Sequence, residues 1–231
     1  MTETNASLAD LLRPVKHVLL DFDGPVCSVF AGFPAPDVAK SLQAGMEALG
    51  WKMPEQGQVE TDPLALLRLV AEHRPDLVSP ADRRLALLET GAVQSGRPNP
   101  GGEAVLRACA ESGRAVSIVS NNATAAIESY LVAHDLGRYV ARTIGRMPGD
   151  PASMKPSPRL LLEAMGDGED RAADFVFVGD AVRDVEAGLA AGVSTIGYAN
   201  KPGKRERLEA AGALVVVDSM ESIAAALGGG A

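Results

Sequence analysis

The chain has 231 residues, 46% of them hydrophobic, with a formal charge of −8 and a pI near 5.0. That composition supports a sizeable core and excludes a broad nucleic-acid surface, because the only compact basic stretch, at 201–207, is short. No apolar run approaches membrane-spanning length, and Met1–Asn5 has no basic region leading into an apolar one, so a soluble, unexported protein is expected.

The first predicted element is the strand His17–Leu20, which runs into Asp21, Phe22, Asp23 and Gly24. By itself that tetrapeptide fits either a turn or a reactive strand end. Residues 27–95 then break any strand rhythm. Val38, Leu42, Met46 and Leu49 share one helix face, followed by Leu64, Leu67 and Val70, then Leu85 and Leu88, with Pro54, Pro63, Pro75 and Pro80 as punctuation. Three or four helices and no clear strand are expected there, between hinges at Cys27–Pro36 and 96–102. A helix at about 101–112 returns the chain to strands at Ala115–Val119, Phe175–Val178, Val193–Ile196 and Leu214–Val217. Helical patterns separate most of these: Ala126, Ile127, Tyr130, Leu131 and His134; Leu160–Met165; and Met220, Ile223, Ala224 and Leu227. Strand–helix alternation predicts an α/β fold with a parallel, Rossmann-like sheet covered on both faces. The domain division is therefore an α/β core of residues 1–26 and 96–231 carrying a helical insert of 27–95. Leu227–Ala231 reads as a frayed tail.

Three further polar clusters fall at or between predicted strand ends: Ser120-Asn121-Asn122, Lys155-Pro156-Ser157-Pro158, and Gly179-Asp180 with Asp184. Ligands bind at the carboxyl edge of such a sheet, where distant segments converge. Asp21, Asp23, Asp180 and Asp184 crowded together repel one another, and Lys155 alone cannot balance them, so a hard cation is implied. Oxygen-only ligands favour Mg²⁺, which also takes water and substrate phosphate into its shell.

This arrangement suits phosphoryl transfer. Asp21 is the candidate nucleophile, forming an aspartyl phosphate that water cleaves. Asp23 is the candidate acid for the leaving oxygen and then base for the water. Ser120 and the backbone amide of Asn121 are candidates to hold phosphate oxygens, with Lys155 neutralising charge. Asp180 is the candidate metal ligand, and Asp184 a ligand or its support.

These four clusters, in this order, resemble the motifs of the haloacid dehalogenase superfamily. The resemblance spans about residues 17–200, places the helical insert where that superfamily carries its C1 cap, and is nearest to the phosphoglycolate phosphatase-like and β-phosphoglucomutase-like branch. It implies a Mg²⁺-dependent phosphatase with a small phosphorylated metabolite as substrate. It also implies that Asp23 gives the metal its backbone carbonyl rather than its side chain. Pro25 departs from the usual threonine or valine, and Ala181 from a frequent serine. Neither removes a nucleophile, acid or ligand, so activity with altered loop geometry is expected. Two alternatives use the same residues: a sugar-phosphate mutase, and a phosphate-binding protein without turnover. Dehalogenation fits less well, since it needs neither Asp23 as an acid nor the Asp180 cluster.

Cys27 and Cys109 lack metal-ligand spacing and read as reduced core thiols, which fits a cytoplasmic location. Trp51 is expected in the core of the insert, and Phe30 and Phe33 are candidates for the pocket wall. His17 reads as a sheet-edge residue, and His73 and His134 as helix-end residues. Arg68, Arg83, Arg84 and Arg97 carry no assigned role, and Glu186 and Asp218 read as surface carboxylates. The sequence leaves oligomeric state open.

Overall fold

A computed structural model describes residues 7–54 and 60–228, so residues 229–231 of the expected tail and the extreme amino terminus lie outside the described residues, while Leu227 and Gly228, expected to fray, end a helix in which Leu227 is buried. Helix α1 (Leu8–Leu12) leads into β1 (His17–Leu20), and a short strand β2 (Cys27–Ser28) precedes helices α2 (Ala35–Glu47), α3 (Pro63–His73) and α4 (Val78–Ala92). Strand β3 (Arg97–Pro98) and helix α5 (Pro100–Glu111) return the chain to β4 (Ala115–Val119), α6 (Thr124–Ala133) and β5 (Arg142–Ile144). The remainder is α7 (Arg159–Met165), β6 (Phe175–Gly179), α8 (Val182–Ala191), β7 (Ser194–Tyr198), α9 (Lys204–Ala210), β8 (Val215–Val217) and α10 (Met220–Gly228).

Six strands form one sheet in the order β5-β4-β1-β6-β7-β8, and all its pairings are parallel. This is the α/β Rossmann-like fold expected. Alternate residues of a strand serve opposite faces. Val18 and Leu20 accordingly enter an apolar cluster with Leu106, Ile127 and Ile223, whereas Leu19 enters another with Leu160, Leu161 and Phe177. Both faces are covered, which is why every residue of β6 is buried.

Helices α2, α3 and α4 enclose a third apolar cluster, built on Leu42, Leu67, Leu85 and Trp51. Asp62 caps α3 by accepting from Leu64 N at 2.9 Å, and Pro63 opens the helix with its φ already set. Asn99 and Pro100 repeat that device at α5. Among the described residues no helix is long and apolar enough to cross a membrane.

Two expectations need correction. The segment 27–95, expected to hold no clear strand, opens with β2, which pairs antiparallel with β3, Cys27 with Pro98 and Ser28 with Arg97. The edge strand β5 went unforeseen because Arg142-Thr143-Ile144 is short and only its last residue is buried. Cys27 and Cys109 are buried and free, as expected.

Candidate active site

Asp21 follows β1 directly and continues its ladder, its N–H donating to Val178 O at 2.9 Å. The strand therefore delivers the carboxylate to the carboxyl edge with its backbone fixed. Asp21 Oδ1 accepts from Phe22 N at 2.8 Å and lies 2.8 Å from Lys155 Nζ. Asp23 turns its Oδ1 to Val29 N at 2.9 Å. Between this pair and β2 the chain reverses at Gly24, whose φ of +112° is costly for any other residue. A Cβ there would also fall 2.5 Å from Asp180 Oδ2, so this position must stay bare for Asp180 to occupy its place. The turn's backbone bonds begin at Gly24, Val26 and Cys27, so the N–H that Pro25 lacks is not among them. Asn99 Nδ2 pins the turn from outside by donating to Gly24 O at 3.1 Å.

Ser120 and Asn121 follow β4. Ser120 N donates to Ile144 O at 2.9 Å, and Ser120 Oγ bonds with Asn122. The Asn121 side chain pairs with the backbone of Lys155 on both sides, accepting from Lys155 N at 2.8 Å and donating to Lys155 O at 3.1 Å. That pair of hydrogen bonds seats the lysine, whose side chain is 1% exposed, with Nζ donating to Val119 O at 3.0 Å. Arg68 of α3 also donates to Lys155 O, at 3.0 Å, a contact its sequence position did not suggest.

Asp180 ends β6, and Asp184 sits in the first turn of α8. Asp184 Oδ2 accepts from Asp180 N and Ala181 N at 3.1 and 2.9 Å, closing the amino end of the helix. Its other oxygen, Oδ1, lies 2.7 Å from Lys155 Nζ but has no partner of hydrogen-bonding geometry among the described residues, although it is fully buried. One oxygen from each of Asp21, Asp180 and Asp184 falls within 4.8 Å of the others. An all-oxygen set of three carboxylates this close together fits a hard divalent cation.

The electrostatics agree. Burial, reinforced by the charge of Asp184 and opposed by Lys155, raises the Asp21 pKa from 3.8 to about 7. Burial raises Asp23 to about 6; the Val29 N–H opposes the rise and Asp180 adds to it. Burial disfavours the Lys155 ammonium, but Asp184 and Asp21 outweigh it and hold its pKa above the usual lysine value.

The structure brings together all seven residues singled out. Asp21, Asp23, Ser120, Asn121, Lys155 and Asp180 line one cavity of about 740 Å³, and Asp184 stands behind them. Phe30 lines the same cavity, whereas Phe33 packs against two of the apolar clusters instead. Trp51 is buried in the helical cluster. His17 opens an interior strand at the amino edge of the sheet, bonded to Asp170 and stacked on Phe175.

The expected charge balance needs one correction, because Lys155 is not the sole cation. Lys204 Nζ lies 2.5 Å and Asn200 Nδ2 2.8 Å from Asp180 Oδ2. Arg97, Arg183 and Lys201 also line the cavity. Asn200 and Lys201 lie just beyond β7, so the strand-end reasoning that found Ser120 and Asp180 could have reached them. Lys204 opens a helix the pattern did not show and carried no such signal.

A parallel sheet with four polar segments, acidic ones among them, gathered at its carboxyl edge defines a class, and the family comparison agrees with it. The sequence model described as haloacid dehalogenase-like hydrolase matches residues 83–198, and the chain belongs to that family of enzymes. Within it the chain groups with phosphatases. It is 30% identical to a phosphoglycolate phosphatase from Cupriavidus necator, covering 95% of this chain and 96% of that one. In fold it is similar to a predicted phosphoglycolate phosphatase from Haemophilus somnus, with a TM-score of 0.64, 17% identity and coverage of 91% and 96%. It is also similar to CbbY from Rhodobacter sphaeroides, solved with phosphate, with a TM-score of 0.66, 16% identity and coverage of 90% and 95%.

Proposed function

We propose that the protein is a Mg²⁺-dependent phosphatase that hydrolyses a small phosphorylated metabolite through an aspartyl phosphate on Asp21. The observation that carries this reading is the meeting of Asp21, Lys155 and Asp180 on one cavity wall, with Asp184 directly behind it and one oxygen of each of the three aspartates within 4.8 Å of the others. Mg²⁺ would be held by Asp21, Asp180 and Asp184 with the carbonyl of Asp23, supplying the positive charge that keeps Asp21 ionised and offsets the charge of the phosphoryl group.

Asp21 Oδ1 accepts from Phe22 N and faces Lys155, which leaves Oδ2 to attack phosphorus. The new O–P bond forms as the ester P–O bond breaks, and the departing oxygen takes a proton from Asp23. A pKa near 6 suits a group that must give a proton and then recover one near neutrality. Asp23 next removes a proton from water, which attacks the same phosphorus, frees Asp21 and releases phosphate. Lys155, the Ser120 hydroxyl and the Asn121 amide bind the phosphoryl oxygens.

The helical segment 27–95 serves in this reading as a cap over the core of 1–26 and 96–231. Its residues Ser28, Phe30, Asp62 and Leu64 form part of the cavity wall, and a cavity of this volume suits a small molecule. A small-metabolite substrate of the kind named for the Cupriavidus relative, in the cytoplasm and without nucleic-acid or membrane partners, agrees with the acidic charge and the two free thiols. Phosphate release from an aryl phosphate, with and without Mg²⁺, followed by a panel of phosphometabolites, tests the proposal. Absence of metal-dependent release across the panel overturns it, and conversion of a hexose 1-phosphate without phosphate release turns the reading to a mutase.

A further inference from the structure

A second group of buried charges lies beside the phosphate loop, and the chemistry above does not use it. Arg146, 1% exposed, comes from the segment after β5; Asp82 and Glu89 project from α4. Arg146 Nε donates to Asp82 Oδ1 at 2.6 Å, while Nη1 and Nη2 reach Glu89 Oε1 and Oε2 at 3.1 and 3.2 Å. The same Nη1 donates to the backbone oxygen of Asn121 at 2.8 Å. Asp82 Oδ2 accepts from Gly149 N at 3.0 Å. Glu89 also accepts from Asn122 Nδ2 at 3.2 Å and from Ala123 N at 2.9 Å.

Those last contacts explain an oddity in the chain. Alanine is a poor residue for the start of a helix, yet Ala123 holds that position in α6 and has no side chain to cap it. Glu89 brings a carboxylate from another element to the helix amino end, where the backbone dipole favours negative charge. Arg146 meanwhile spends one arm of a planar fork on Asn121 O, beside the amide assigned to substrate phosphate. A lysine could replace the charge of Arg146 but not its simultaneous reach to two carboxylates and a carbonyl.

We propose that Arg146, together with Glu89, is a positioning residue for phosphoryl transfer. The pair fixes the backbone of Asn121 and the amino end of α6, so that the Ser120 hydroxyl and the Asn121 amide stay aimed at the phosphoryl group. This rests on the reading of Ser120–Asn121 as a phosphate loop given above. Because Asp82 and Glu89 lie in the helical segment, the aim of that loop depends on helices that do not belong to the sheet.

The test uses the full chain with Arg146→Lys and Glu89→Gln. KM for an aryl phosphate, Ki for inorganic phosphate, kcat, melting temperature and amide exchange across 119–124 are compared with the parent. In Arg146→Lys, KM and Ki are expected to rise together by about tenfold and kcat to fall by less, with smaller changes in Glu89→Gln. Exchange across 119–124 is expected to quicken while exchange in β7 stays as in the parent. A folded variant with parent KM, Ki and loop exchange, whatever its melting temperature, overturns the proposal, since a purely stabilising role moves only the last quantity. If Arg146→Lys does not fold, Glu89→Gln decides alone, because it keeps the shape and an acceptor for Ala123 N. If the parent neither turns over substrate nor binds phosphate, the phosphatase reading fails. The positioning proposal then falls with it, whereas an active parent with unaffected variants overturns the positioning alone.

Discussion

Asp21, Lys155 and Asp184 on one side, and Asp82, Arg146 and Glu89 on the other, each bury two carboxylates around one cation. The Arg146 cluster satisfies its carboxylates with a guanidinium fork and backbone or amide donors. The Lys155 cluster relies on one ammonium shared between Asp21 and Asp184, at 2.8 and 2.7 Å, and opens on a cavity. On the function proposed above, the difference is one of use: a fully hydrogen-bonded cluster fixes a geometry, whereas one that shares a single ammonium and faces a cavity would accept a cation and a substrate.

Several substitutions separate the two behaviours. The largest effect is expected from Asp21→Asn, which removes the attacking oxygen anion and lowers phosphate release by about 10³-fold or more. The protein should stay folded, and an Asp21→Asn enzyme with near-parent rates would refute the assignment. Arg146→Ala acts in the opposite way: stranding two buried carboxylates costs about 3–5 kcal/mol, read as a lower urea midpoint. The contrast is sharpened by Mg²⁺. Measured against the parent at the same Mg²⁺ concentration, the stability deficit of Lys155→Met should shrink, since a cation can take the place of the ammonium, while that of Arg146→Ala should stay as it was.

Smaller is the effect of pH on the metal-free protein. The native state holds protons on Asp21 and Asp23 that the unfolded chain releases above about pH 4, because their pKa values rise from 3.8 to about 7 and about 6. Stability from this source is complete below the unfolded pKa and is lost as pH rises from 4 towards 7. Melting temperature without metal is therefore expected to fall between pH 5 and pH 8, and added Mg²⁺ to reduce that fall. A metal-free curve that rises over this interval contradicts the raised pKa values of these two buried carboxylates. No effect is expected from alkylating agents on the folded chain, since burial lifts the Cys109 thiol to about 12 and Cys27 higher still. Both should react once the chain is unfolded in urea.

The parallel sheet was legible because strands buried on two faces read as continuous apolar runs, as in Phe175–Val178. The main site was legible because its residues stand at the ends of those runs, where position predicts proximity. What stayed hidden depends on pairing across the fold. Strand β5 is largely exposed and short, Lys204 reaches Asp180 from a helix whose pattern is mostly charged, and Arg146, Glu89 and Asp82 look like any solvated charges until packing buries them. Burial of a charge is a property of its neighbours, and no local periodicity announces it.

The carboxylate of Glu89 at the start of α6 bears on how interchangeable the parts of this enzyme are. Grafting a different helical segment onto this sheet, a natural way to seek a new substrate range, removes the acid that completes Ala123 and the two partners of Arg146. A functional chimera is expected to need acidic residues at those two places in the donor segment, or a capping serine at position 123 with an apolar residue at 146. Compatibility of modules here is decided by three side chains at a seam, and swapping experiments can be designed around them.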